Sequence, residues 1–547
     1  MCVFSVLCIL SFGYNPGREH VLSLPGGFRT VSGFRGGRFP DFCVLIDFSI
    51  CCLYNNTVAE YRRNMHMKAP FSAYLAGIAP GLKELAALLR KKYDYVSVLS
   101  TDSTGFQVSI SQRAKSVTRD TLCTERGTVV RVCRNGLYAE YAFTGFDPEK
   151  VIETGDRIVR ELDAQLAVLQ ACGVKPYETG ILPDEPLELF VEKQTGRMPE
   201  DEDIPALVDR LTAVSGRGME QGKEMGLNLV DFMARASSTH ICKVFLTENR
   251  DLRQSYVYSE GMAAALVAGP ERTDYAYTSL SECFGPELFD TLDTVIPEVL
   301  RIAKDLTAAE RVVPGEYEVI TSPEVTGLIA HEAFGHGVEM DMFVKGRALG
   351  ADYIGKRVGS DLVTMHEGAL CAEDTSSYAF DDEGTPAGDV TEIDRGILRT
   401  GICDALSAVR LGTKPTGNGK RQSFSHKVYT RMTNTVFDSG SGTLEEMIAS
   451  IRKGYLLEGM QSGMEDPKHW GIQCIIDRGY EIIDGKLTGR VVSPLVMTGY
   501  VPDLLGSVSM LSADRKTDGA GYCGKGHKEW VKTAQGGPYL KAKVRLG

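Results

Sequence analysis

The stretch Ser322-Pro323-Glu324-Val325-Thr326-Gly327-Leu328-Ile329-Ala330-His331-Glu332-Ala333-Phe334-Gly335-His336 governs the reading of this chain. Its first three residues form a helix start: a serine at the cap, a proline at the first helical position and an acid beside the unpaired N–H groups. Val325, Leu328 and Ile329 supply a buried face. The stretch then delivers H-E-x-x-x-H. Two imidazoles beside a carboxylate are the groups of a hydrolytic zinc site, nitrogen ligands for a borderline metal and a base for a water proton. The spacing is one residue longer than the zincin H-E-x-x-H. Five residues at about 100° each set the two side chains about 140° apart on a regular helix, so the motif predicts one wide i to i+5 turn. Gly335, lacking a Cβ, marks where that distortion is easiest. A third ligand is needed, and Glu339, Asp341, His366, His426, Cys523 and His527 all qualify by type. Spacing does not choose among them.

Around this motif the chain is an ordinary globular one. Its 547 residues are 43% apolar and 24% charged, enough for two to four domains with real cores. The balance of 60 basic against 72 acidic residues gives −12, which argues against a nucleic-acid partner. No apolar run reaches the roughly 18 residues of a membrane span. Fourteen cysteines without a Cys-x-x-Cys pair read as reduced thiols, hence a cytoplasmic location.

The expected fold class is α+β: mixed α/β amino-terminal domains followed by a strand-rich carboxy-terminal catalytic domain that carries the H-E-x-x-x-H helix. Residues 1–64 hold six Arg and no Lys and differ in composition from the rest, so they read as an atypical extension, disordered or mis-started, and dispensable. An amino-terminal α/β domain is expected over 65–180. Within it, Asn135-Gly136 signals a hairpin between 128–133 and 137–143, and Asp147-Pro148 opens a helix to about Cys172. A second α/β unit is expected over 181–310, with a solvated acidic loop at 199–205, strands at 227–233, 241–246 and 255–258, and a helix over 286–304 that Pro297 should interrupt or kink. The carboxy-terminal domain that carries H-E-x-x-x-H is expected over 311–547, built from short strands.

Several blocks then follow in a fixed order: Val313-Pro-Gly-Glu-Tyr317, His331 to Glu339, Asp381-Asp-Glu-Gly-Thr-Pro386, Pro415-Thr-Gly-Asn-Gly419, Arg431-Met-Thr-Asn-Thr435 and Cys523-Gly-Lys525. In this the chain resembles the TldD/PmbA metallopeptidases, from about residue 88 onward and most densely in the last 235 residues. The PmbA branch of that family lacks H-E-x-x-x-H, so an intact copy resembles the catalytic TldD branch. The resemblance implies His331, His336 and Cys523 as ligands of Zn2+, Glu332 as general base, and an extended, unfolded or modified peptide as substrate. It also implies a partner, either a PmbA-like homologue in a heterodimer or a second copy in a homodimer. The rival reading is a non-hydrolytic peptide-binding or partner-docking subunit, for which an intact Glu332 would be superfluous. The Trp470 neighbourhood departs from the family pattern.

Weaker signals remain. Gly417, Asn418 and Gly419 suggest either a tight turn or backbone that approaches a peptide, and His426 is a candidate to stabilise an oxyanion. Asp381, Asp382 and Glu383 read as a turn with solvated charges. Lys525, two residues from Cys523, is expected to help hold the thiolate ionised.

Overall fold

The computed structural model describes residues 67–171, 179–526 and 529–547. The expected extension over 1–64, part of the linker after Cys172, and His527 lie outside the described residues. The structure is mixed α/β, and its carboxy-terminal part is a β-barrel.

The amino-terminal half is built on one sheet. Helix α1 (Ala73–Arg90) leads into strands β1 (Tyr95–Ile110), β2 (Lys115–Thr118), β3 (Glu125–Arg134) and β4 (Leu137–Phe143). After α2 (Val151–Ala171) come β5 (Leu187–Glu192), α3 (Ile204–Glu224), β6 (Leu229–Leu246), β7 (Arg250–Ala268), β8 (Thr273–Glu282) and α4 (Ile296–Thr307). The strand order is β8-β7-β6-β1-β3-β4, with β2 added on β1 and β5 added parallel on β7. The β1–β6 ladder therefore joins strands from both amino-terminal units expected from the sequence. Asn135 and Gly136 take the left-handed conformation, φ 52° and 75°, that a two-residue hairpin between β3 and β4 demands. Helices α1 and α2 cover one end of a single face of the sheet through Leu82, Leu85, Leu89, Ile158 and Leu162, over Val96 and Val98, while α3 and α4 cover the other end of that same face through Leu207, Leu211, Val299 and Leu300, over Phe106 and Val108. The opposite face, with Leu99, Phe245 and Tyr256, packs on Phe380 and Tyr378 of the carboxy-terminal part.

Two readings change here and one is sharpened. The expected acidic loop is the entry to α3: the Asp203 carboxylate accepts the Ala206 N–H, Pro205 occupies the first turn, and Glu202 pairs with Arg210. Pro297 interrupts the helix expected over 286–304: a 3-10 segment over Pro286–Val295 ends before it and α4 opens on it, because a first-turn N–H has no partner to lose. The strands near 227–233 and 241–246 are one 18-residue strand, since polar Ser237, Ser238 and Thr239 between them are buried and break the apolar pattern without breaking the ladder.

The carboxy-terminal part contributes β9 (Gly315–Thr321), α5 (Pro323–Leu328), β10 (Met365–Glu367), β11 (Val390–Asp394), β12 (Ile397–Leu398), β13 (Asn434–Phe437), β14 (Lys453–Asp466), β15 (Gly471–Ile483), β16 (Lys486–Val492), β17 (Leu495–Tyr500), β18 (Met510–Asp518), β19 (Tyr522–Lys525), β20 (Glu529–Lys532) and β21 (Ala534–Leu546). Strands β9, β14, β15, β17 and β21 pair in turn, and β21 pairs back onto β9, which closes the barrel. Its strands are longer than expected, 14 residues in β14 and 13 each in β15 and β21. Helix α5 lies against β21 so closely that a Cβ on Gly327 would stand 2.7 Å from the Gly536 nitrogen.

Candidate metal centre

Beyond α5 the helical path changes pitch twice. It widens to i to i+5 over Ile329–Gly335 and tightens to a three-residue turn at His336–Val338. Ser322 stands at the amino-terminal cap position, although its hydroxyl donates to Glu324 instead of capping. Gly335 has a packing reason as well as a conformational one, because a Cβ there would overlap Met432 Sδ. The wide turn brings the His331 and His336 rings to 5.2 Å between centroids at 87°.

Cys523 reaches them from β19, 187 residues later in the chain, with Sγ 3.4 Å from His336 Nε2. One donor atom each from His331, His336 and Cys523 lie within 4.8 Å of one another. Ligand atoms on tetrahedral zinc, with bonds of about 2.0–2.3 Å, sit roughly 3.3–3.6 Å apart. Two nitrogens and a thiolate at this separation fit such an ion, and His331 Nδ1, buried without a hydrogen-bond partner, is an unsatisfied group at the cluster. Burial alone would raise the Cys523 thiol, but His336 and then His331 outweigh it and hold the thiol well below its ordinary value. Burial likewise opposes protonation of His336, and Cys523 and Glu339 overcome it, raising that imidazole well above its usual range. A divalent cation bound here displaces the protons that this thiolate otherwise retains on its neighbours.

The remaining candidates sort by position. Glu339 stands behind His336, whose Nδ1 lies 3.0 Å from Glu339 Oε2, an arrangement that leaves Nε2 for the thiolate side. Lys525 Nζ lies 3.1 Å from the same carboxylate oxygen and donates to Asp341 Oδ1 at 2.8 Å. Lys525 thus serves Glu339 and Asp341; the imidazoles are what keep the thiol ionised. His366 pairs with Asp389 at 2.8 Å, away from the cluster. Gly417, at φ 82°, packs on the Pro386 carbonyl, Asn418 is fully buried on Glu367 and the Arg431 carbonyl, and Gly419 N–H donates to Asp381. None of these three lines the cleft beside the cluster, and His426, hydrogen-bonded to Ser423, lines a separate cavity with Glu140 and Arg421.

That cleft has a volume of about 830 Å³ and is lined by His331, Glu332, His336, Cys523 and the 460–465 segment of β14. The segment runs directly along the helix, since a Cβ on Gly463 would overlap the Glu332 side chain. Beyond Leu457, where its pairing with β9 ends, β14 has β15 on one edge and no strand among the described residues on the other. Neither this edge nor Glu465, which lines the same cleft, was marked by any local sequence pattern, because both depend on strand register. Trp470, where the chain departs from the family pattern, is fully buried against Phe334 and Tyr353, with ring centroids at 5.4 and 4.7 Å.

The Asp381–Glu383 turn is a correction. Its charges are buried, not solvated: Asp381 accepts the N–H groups of Glu383, Thr385 and Gly419, Asp382 takes Lys243 and the Arg421 N–H, and Glu383 takes Arg131 and the Ala405 N–H.

Comparison with known proteins agrees with this architecture. Residues 314–544 match the PmbA/TldA metallopeptidase C-terminal domain. A metalloprotease TldD homolog of Buchnera aphidicola is 32% identical over 261 residues, 47% of this chain and 53% of the relative. A metalloprotease of Methanocaldococcus jannaschii is 33% identical over 211 residues, 39% of this chain and 46% of the relative. The chain thus spans about half the length of these relatives. A Synechocystis metalloprotease is matched over 97% of its length and 85% of this chain at 26% identity. Among solved structures, TldE from Thermococcus kodakarensis shares the fold at a TM-score of 0.66 and 18% identity, over 85% of this chain and all of its own. A putative modulator of a DNA gyrase from Thermotoga maritima does so at 0.66 and 16%, over 86% of this chain and all of its own. By domain match, named relatives and fold together, the chain matches the TldD/PmbA metallopeptidase superfamily.

Proposed function

We propose that this chain is a zinc-dependent peptidase in which His331, His336 and Cys523 hold the ion and Glu332 is the general base. The observation that carries the reading is the convergence of the three donors beside Glu332 in one cleft. A zinc ion held there supplies Lewis acidity, polarising a carbonyl and lowering the pKa of water. Glu332, one residue after His331 and facing the cleft, takes the proton of the attacking water and returns it to the leaving amine. Glu339 and Lys525 hold His336 in one tautomer. The open edge of β14 offers backbone groups to an extended peptide, which favours unfolded or modified chains over folded ones. The partner is a PmbA-like homologue or a second copy, and the site of action is the cytoplasm; no helix among the described residues is long and apolar enough to cross a membrane. The alternative, a non-hydrolytic docking subunit, leaves Glu332 without a task.

The deciding experiment is Glu332→Gln, assayed on an unstructured peptide with metal content measured in parallel. An amide cannot accept the proton, so turnover is expected to fall by about 10²–10⁴ while the metal is retained. Wild-type turnover in the variant would place the chemistry elsewhere.

A further inference from the structure

We infer that Glu465 makes this cleft selective for a cation, a protonated amine or guanidinium, carried by the peptide close to the scissile bond. The inference rests on the peptidase reading above and adds the class of substrate.

Its basis is the cleft-facing side of β14. Gly463 packs on Glu332, and two residues along the same strand face the Glu465 carboxylate packs on Gly337, where a Cβ would stand 2.5 Å from Oε1. Glu465 is therefore set beside the residue that follows His336. Both of its carboxylate oxygens are buried and neither has a hydrogen-bond partner. A buried carboxylate without a partner is strongly disfavoured, and a charge-assisted bond to a cation relieves the deficit most fully. The one unpaired donor bordering the same Gly337 is Trp470 Nε1, which is neutral and does not reach it.

The rest of the lining sharpens the sign. Glu332, Glu339, Glu465 and Asp518 line the cleft, and the one lysine among its lining residues, Lys525, is held by Glu339 and Asp341. Asp518 accepts the Ser279 hydroxyl and the Ala520 N–H. Glu332 and Glu465 are left as the carboxylates of the cleft that no lysine or arginine pairs, and Glu332 is assigned to the chemistry. An acidic group on the peptide meets repulsion at Glu465, a neutral group meets an unpaired carboxylate, and a cation completes the site.

The test uses the metal-loaded full chain and synthetic unstructured decapeptides in which Lys, Gln or Glu is walked through each position, with free or acetylated amino ends. Cationic peptides are expected to exceed neutral ones in kcat/KM by about tenfold or more, and Glu465→Gln to bring that ratio within about threefold. Glu465→Asp keeps the charge with a shorter reach and is expected to leave an intermediate ratio, so a folding defect in the amide variant does not remove the test. A preference confined to one Lys position assigns the cation to a side chain; a preference abolished by acetylation assigns it to the amino terminus. A wild-type ratio near one, or a ratio unchanged in Glu465→Gln, overturns the inference. Binding of the same peptides to Glu332→Gln separates the two readings: charge preference in binding, with no hydrolysis by the wild type, overturns the peptidase reading and keeps Glu465; hydrolysis without preference does the reverse.

Discussion

Two groups of acids in this molecule are written in similar letters and are built in opposite ways. The Asp381–Glu383 turn meets every carboxylate with backbone N–H groups or a buried cation. The acids of the metal cleft are divided: Glu339 is held by His336 and Lys525, whereas the Glu465 oxygens have no partner at all. Saturation marks the first group as framework, holding the turn against β3 and β6. Unsatisfied donors and acceptors around one point mark the second as a place for something else to bind.

If that contrast is right, substitutions in the two groups should fail differently. The largest effect is expected from Cys523→Ala, which removes the soft ligand and should abolish metal binding and activity together while the fold survives; metal analysis with circular dichroism checks it, and a variant that keeps its metal would return Glu339 to consideration as a ligand. In the framework group, Arg131→Met leaves Glu140 and Glu383 without their shared guanidinium and should cost about 3–5 kcal/mol of stability, read by denaturant unfolding, without lowering metal affinity in the fraction that folds. A third measurement follows acid. Burial opposes ionisation of Glu140, yet Arg131 and Arg421 outweigh it and lower its pKa from 4.5 to about 2. A folded value below the unfolded one contributes stability above about pH 4.5 that is lost as pH falls towards 2, about 3 kcal/mol for this shift. Glu140→Gln should flatten that part of the pH–stability curve; an unchanged slope would show that Glu140 is not held as described. The smallest effect is expected behind the metal, where Glu339→Gln weakens the support of His336 and should lower zinc affinity by about 10–100-fold in a chelator competition.

The legible part of this protein was the part set by local rules. Asn135-Gly136 announced its hairpin through backbone conformation, and the five-residue spacing from His331 to His336 required the wide turn that the helix adopts. What escaped was set by distance in the fold. The 18 residues of β6 include buried Ser237, Ser238 and Thr239, whose polarity hides the strand from any alternation rule. Helix α3 was missed even though Asp203-Ile204-Pro205 is a regular cap, because the acidic run before it looked like loop. In the site, Glu332, His331 and His336 followed from one helix, whereas the place of Cys523 came only through resemblance; Lys525 was marked beside Cys523 but with the wrong partner, and Glu465 was not marked at all, since strand register alone decides what they face.

Strand β21, the last among those described, occupies a central place: it completes the barrel against β9, pairs with β13 and β18, and supports α5, the start of the helical path that carries His331 and His336. On a growing polypeptide, closure of the barrel therefore waits for it. The two imidazoles gain their platform, and the thiol its place opposite them, only after nearly the whole described chain has been synthesised. The hydrolytic centre proposed above, assembled so late, would not act on its own nascent, still unfolded segments, the kind of substrate its cleft is proposed to accept.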